Sequence, residues 1–145
     1  MIDTQHIGLK MPAFEVQPEA GQLRFFALAT GETRPEYTEE STAHDAGHSS
    51  LPLPPTFLFS LELLGPSDWH EQIGLRLDRI LHGEQSFTYH RMAYAGDRLR
   101  FESRIADIYD KKGGALSFVV RESRVTNQRG EHVADLRSVL VHKNA

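Results

Sequence analysis

LPLPPTFLFSLELLG, Leu51 to Gly65, is the stretch that decides how this chain folds. Its three prolines bring the backbone in extended, because each fixes φ and removes a backbone donor. Thr56 then stands where a side chain can cap a helix, and Phe57 to Leu64 is apolar nearly all round. A helix that is apolar on every side has to be buried. Gly65-Pro66 stops it. The stretch therefore predicts a buried helix over Phe57 to Leu64, which another part of the chain must cover.

The cover lies C-terminal. Leu77 to Arg91 alternates, and Arg98 to Asp110 alternates with Leu99, Phe101, Ile105 and Tyr109 on one face. Lys111-Lys-Gly-Gly114 is a hairpin turn, Ala115 to Thr126 is a strand rich in Val and Phe, Asn127-Gln-Arg-Gly130 is a second turn, and Glu131 to His142 is a last strand. A buried helix followed by a long antiparallel meander is an α+β arrangement. The economical form is a curved antiparallel sheet wrapped around the central apolar helix. Such a sheet leaves edges that commonly pair with a second copy or partner.

On the N-terminal side, residues 1–13 lack strong periodicity and are expected to include a frayed end. Phe14 to Gln17 suits a short strand. Pro18 to Thr30 suits a helix with Leu23, Phe26 and Ala27 on one face and Gly31 just past its end. Gly31 to Ser50 is polar and irregular, a long loop with room for one helical turn. Loops of this length in a compact domain are usually functional.

Composition narrows the function. The 145 residues suit one domain, spanning 1–145, with 39% hydrophobic and 25% charged residues. There are no cysteines, which excludes disulfides, thiolate catalysis and Cys-ligated zinc. The net charge of −4 comes with interspersed signs and no basic stripe, so nucleic acid is not an expected partner. Neither a signal peptide nor a membrane span is visible, and a cytoplasmic location is expected.

Five pieces occur together in one order: FALATGETRPEY (Phe26 to Tyr37), LPPTF (Leu53 to Phe57), LHGEQSF (Leu81 to Phe87), AGDRL (Ala95 to Leu99) and RGEHVAD (Arg129 to Asp135). In this the chain resembles the N-terminal domain of MaoC-like dehydratases, a branch of the hotdog-fold hydratases. The resemblance implies a single hotdog domain, acyl thioester substrates on coenzyme A or acyl carrier protein, and reversible addition of water to a trans-2-enoyl thioester. It implies no metal and no redox cofactor. It also implies a site at the interface of two hotdog units, in a homodimer or a heterodimer with a second MaoC-like chain.

Hydration needs a base for water, an acid for C2 and a donor for the enolate-like oxyanion. Active relatives carry D-x-N-P-x-H, where Asp and His share the proton work. The matching stretch here is Glu32-Thr-Arg-Pro-Glu-Tyr37. Pro35 aligns, but Glu32 replaces Asp, Arg34 replaces Asn and Tyr37 replaces His. Glu32 reaches one methylene further, and a displacement of about 1 Å can cost on the order of 100-fold. A tyrosine, with an ordinary pKa of about 10, is a poor base at neutral pH. In two-unit members the N-terminal unit typically has such a degenerate loop and holds the acyl chain, while the second unit brings Asp and His. Pro55, Thr56 and Phe57 stand where active relatives open the central helix with a His-Gly pair. These three, with His82 and Gly83, are the candidates for substrate contact.

Other residues invite weaker readings. His44 and His48 are four apart, but Gly47 and Ser49-Ser50 argue for a solvated loop, and no third metal ligand is apparent. His44 stays a catalytic candidate because the loop is expected near substrate. Strict alternation puts His82, Glu84, Ser86, Thr88 and His90 on one strand face, where His82 or His90 with Glu84 offers a replacement acid–base pair. That face lines a groove, meets a partner or meets water. Phe25, Phe26, Phe57, Phe59 and Phe101 read as core. Lys111 and Lys112 read as a solvated hairpin or a contact for coenzyme A phosphates. Glu62, an acid inside an apolar helix, and Asp45 are the acids that a hotdog thioesterase would use. A third possibility is a subunit that binds acyl-CoA without turnover.

Overall fold

The meander expected of the C-terminal half is the frame of the structure, a computed structural model that describes residues 1–144. Five strands, β1 (Phe14–Val16), β2 (Ile80–Tyr89), β3 (Leu99–Lys111), β4 (Leu116–Thr126) and β5 (His132–Lys143), form one sheet in the order β1-β3-β4-β5-β2. Every pairing is antiparallel. Lys112 and Gly113, at φ 53° and 63°, make the β3–β4 turn. Asn127 Oδ1 accepts from the backbone N–H groups of Arg129 and Glu131 and organises the β4–β5 turn. Among the described residues β2 pairs only with β5, so its other edge has no strand partner.

The central helix, α3, spans Phe57–Glu62, starting where the sequence places it but stopping short of Leu64. Phe57, Leu58 and Leu61 are buried against Leu99, Phe101, Val125 and Leu136 of the sheet. Leu63 and Leu64 lie in the turn that follows and are both 63% exposed. The helix therefore ends as soon as its apolar face leaves the sheet. Thr56 does not cap it through its side chain and stands in the left-handed region at φ 74°. A second core cluster sits at the other end of the sheet, where α4 (Trp69–Gln72) brings Trp69 against Ile105, Ile108 and Val119. Ile2 and Met11 are buried there too. The N-terminal segment is thus docked rather than frayed, with Ile2 N–H donating to Ser117 Oγ at 3.1 Å.

α1 covers Ala20–Thr30 and buries Leu23 and Ala27, with Phe26 edge-on to Phe57 at 4.9 Å. Phe25 is 75% exposed and not core, because the helix rotates it away from that stripe. The expected loop is more regular than its composition suggests. Pro35–Tyr37 forms a 3-10 turn, and α2 (Glu40–Asp45) buries Ala43.

Three interruptions of register decide where polar side chains point. Pairing shifts between His82 and Glu84, between Ile105 and Asp107, and between Val125 and Thr126, where Val133 is the extra residue on β5. A bulge advances the chain by one residue and flips every later side chain to the other face. The one at Ala106 buries Ile108 and moves Tyr109 to the outer face, where it stacks on Phe118 at 5.0 Å, contrary to simple alternation. The one at Gly83 separates His82 from Glu84. A Cβ on Gly83 would lie 2.8 Å from Val141 Cγ2 and 3.1 Å from the Val139 carbonyl oxygen, so only glycine fits.

Candidate functional site

The approach to α3 borders a cavity of about 390 Å³. Pro54, Pro55 and Leu58 form one wall, Tyr37 comes from the polar loop, and Met92 and Val133 close the far side. A concave, mainly apolar space with a few polar groups at its rim is the usual form of a small-molecule site. The turn into α3 is fixed from across the cavity, since Thr56 N–H donates to the Tyr89 hydroxyl at 3.0 Å. Thr56 thus keeps the positive φ that a Gly would adopt freely, while the amide that could face a developing oxyanion is already bonded.

The loop that stands for D-x-N-P-x-H is closed on itself. Arg34 binds both carboxylate oxygens of Glu32, with Nε 3.1 Å from Oε1 and Nη2 3.0 Å from Oε2. The Arg34 backbone N–H donates to Oε1 as well, at 3.0 Å. These bonds, the side-chain ones foremost, hold the Glu32 carboxyl down to about 2. Such a carboxylate is a weak base near neutral pH. Arg34 also lies over the Tyr37 ring at 4.8 Å and donates to its hydroxyl at 3.4 Å. The Tyr37 side chain is buried against the cavity. Pro35 opens the 3-10 turn, and Glu32 and Tyr37 are held as an ion pair and a packed aromatic.

The remaining sequence candidates scatter. His44 Nε2 lies 3.1 Å from the Ser49 carbonyl oxygen, and His48 Nδ1 lies 3.1 Å from the Tyr94 hydroxyl, so the two histidines serve separate loop contacts. His82 packs edge-on against Phe59 at 4.9 Å, on the α3 side of the sheet. Glu84 is on the opposite face, 3.6 Å from Arg137. The bulge at Gly83 therefore rules out the shared face for His82 and Glu84. His90 lies just past β2 in the cavity wall, and its Nε2 is 2.9 Å from Asp135 Oδ2. Asp135 also meets His132 Nε2 at 2.8 Å. Desolvation pushes the Asp135 carboxyl up, but the bonds from His90 and His132 outweigh it, and the net direction is down. Gly96-Asp97 makes a turn, with Asp97 Oδ2 accepting from Tyr94 N–H at 2.9 Å.

Glu62 points into the sheet. Its carboxylate accepts from Ser123 and lies 3.6 Å from Arg121 Nε, and its side chain is 2% exposed. Ser103 links Ser123 and Arg121, at 2.7 and 3.3 Å. Burial lowers the Arg121 pKa, and the Glu62 charge partly opposes that. The group is a sealed polar core, not an acid presented to a ligand. A wider groove of about 670 Å³ on the outer sheet face is floored by paired charges such as Arg104–Glu122 at 3.0 Å, the pattern of a solvated surface.

The arrangement can enclose an apolar chain between α3, the Tyr37 turn and residues 89–93, and it presents no free acid–base pair from Glu32 and Tyr37. Residues 5–136 match the family model described as FAS1-like, dehydratase domain region. A UPF0336 protein of Streptomyces coelicolor is 35% identical, with 99% of this chain and 97% of that protein covered. Among solved structures, the C-terminally truncated HadBC (3R-hydroxyacyl-ACP dehydratase) complex of Mycobacterium tuberculosis superposes with a TM-score of 0.82 at 27% identity, covering 94% of this chain and 96% of that one. A MaoC-like dehydratase superposes with a TM-score of 0.87 at 22% identity. The alignment takes in 97% of this chain but 43% of that one, a likeness of fold.

Proposed function

Because the chain belongs to the family of the FAS1-like dehydratase domain region, we propose that it is one hotdog unit, residues 1–145, of an enoyl-thioester hydratase or 3-hydroxyacyl-thioester dehydratase. It holds and shapes the acyl chain, and a second hotdog unit brings the catalytic Asp and His. The observation that carries this reading is the pairing of a retained apolar cavity with a disarmed loop, in which Arg34 clasps Glu32 and Tyr37 fills the place of the base. The cavity takes the acyl chain of a coenzyme A or carrier-protein thioester. The partner docks along the free edge of β2, near exposed Leu81, Tyr89 and Met92. A long unpaired edge strand is otherwise a liability for a soluble protein. The assembly works in the cytoplasm and needs no cofactor. A thioesterase based on Glu62 finds no support, since that carboxylate is buried against Arg121 and Ser123.

The test is hydration of crotonyl-CoA by the chain alone, and then with a hotdog chain from its own genome that carries an intact D-x-N-P-x-H. Turnover only in the mixture, lost on replacing the partner's Asp or His, is the expected result. Thioester binding without turnover in any pairing points instead to a binding subunit. Robust turnover by the chain alone, unaffected by Glu32→Ala and Tyr37→Phe, overturns the reading.

A further inference from the structure

A cluster that the proposed reaction does not use sits where the chain leaves β2 beside β5. Period-two alternation would place His132 and Asp135 on opposite faces of β5. The bulge at Val133 removes one step and brings both to the face turned away from α3. The same residue anchors the third group, since the backbone N–H groups of His90 and Arg91 both donate to the Val133 carbonyl, at 2.9 and 3.1 Å. One irregularity thus collects His90, His132 and Asp135, and their ligand atoms all lie within 4.8 Å of one another.

Two imidazoles and a carboxylate form a donor set for first-row divalent metals. The two imidazole nitrogens already stand 2.9 and 2.8 Å from carboxylate oxygens. These are hydrogen-bond separations to two different oxygens, which a bound ion would replace, and for such a nitrogen and oxygen donor set affinity rises along the first row toward Ni2+ and Cu2+. The side chains are 41%, 30% and 46% exposed for His90, His132 and Asp135, so the rings have room to converge and water can complete the coordination. Positive charges outnumber negative ones around the cluster. Arg124 stands opposite Asp135 in register and opposite Glu102, whose carboxylate lies 3.7 Å from Arg100, and Arg91 is 3.7 Å from Glu131, which also holds Arg129.

We propose that His90, His132 and Asp135 bind a divalent transition-metal ion of the Ni2+ or Cu2+ type, which ties the segment walling the cavity to β5. The site is independent of whether the chain is a dehydratase unit.

Calorimetric titration of the full, tag-free chain with Ni2+ tests this. One ion per chain is expected, with micromolar affinity at pH 7.5. His132→Ala and Asp135→Asn each weaken it at least tenfold, and His44→Ala leaves it unchanged. A second readout needs no variant, since Ni2+ should broaden the imidazole NMR signals of His90 and His132 before any other histidine. Saturation only in the millimolar range, or broadening that begins at His44 or His48, overturns the proposal.

Discussion

Arg34 determines what Glu32 can do. The guanidinium occupies both carboxylate oxygens, so this acid is spent on an ion pair. Arg34→Ala should return the Glu32 titration from about 2 toward its ordinary 4.5, as followed by carbon-detected NMR. An unchanged titration would mean that Arg34 is not the cause. The sign for stability follows from the lowered value. The clasp contributes above about pH 4.5 and fades as pH falls toward 2. Gly83 is the other decisive residue. Gly83→Ala must push a Cβ against Val141 and the Val139 backbone, and overpacking of this kind costs about 1–3 kcal/mol. Chemical denaturation measures that loss, and a variant as stable as the parent would show that the bulge tolerates a side chain.

At the scale of elements, α3 and β4 are joined by a buried ion pair. Glu62 and Arg121 are shielded by Trp69, whose ring lies 5.4 Å from the guanidinium. Removing one partner of such a pair leaves an uncompensated charge and costs about 3–5 kcal/mol. Glu62→Ala should therefore lower the unfolding free energy by that amount. The double replacement Glu62→Leu with Arg121→Met should cost clearly less than Glu62→Ala alone. Equal losses in a denaturant series would deny the coupling. The element scale is also where alternation misleads. β3 and β5 read as regular strands from their sequences, yet bulges at Ala106 and Val133 move Tyr109 outward and bring His132 beside Asp135. Nothing in a local pattern marks these positions, because a bulge is set by what the neighbouring strands can pair with.

For the whole molecule, the free edge of β2 and the cavity beside α3 belong to one surface. If a second hotdog unit docks there, a charge on that edge should weaken assembly. Leu81→Lys, at a position 52% exposed, is expected to raise the dissociation constant at least tenfold in sedimentation velocity, with the far-ultraviolet circular dichroism unchanged. Association that ignores the substitution would place the interface elsewhere.

The class of the fold is legible in the order of the residues alone. An all-apolar segment must be buried, an alternating meander must present one face, and together they leave little choice but a sheet over a helix. The same order also singles out the loop of Glu32, Arg34 and Tyr37, which are visible as residue types at fixed spacing. The tertiary structure decided where those groups spend their charge. It turned Arg34 onto Glu32, sealed Glu62 against Arg121, split His82 from Glu84 and gathered His90, His132 and Asp135. The physical reason is one of range. Burial and periodicity are carried by neighbours along the chain. Ion pairs and strand register depend on which distant residue arrives within about 3–4 Å, and a single bulge reverses that without altering any local preference.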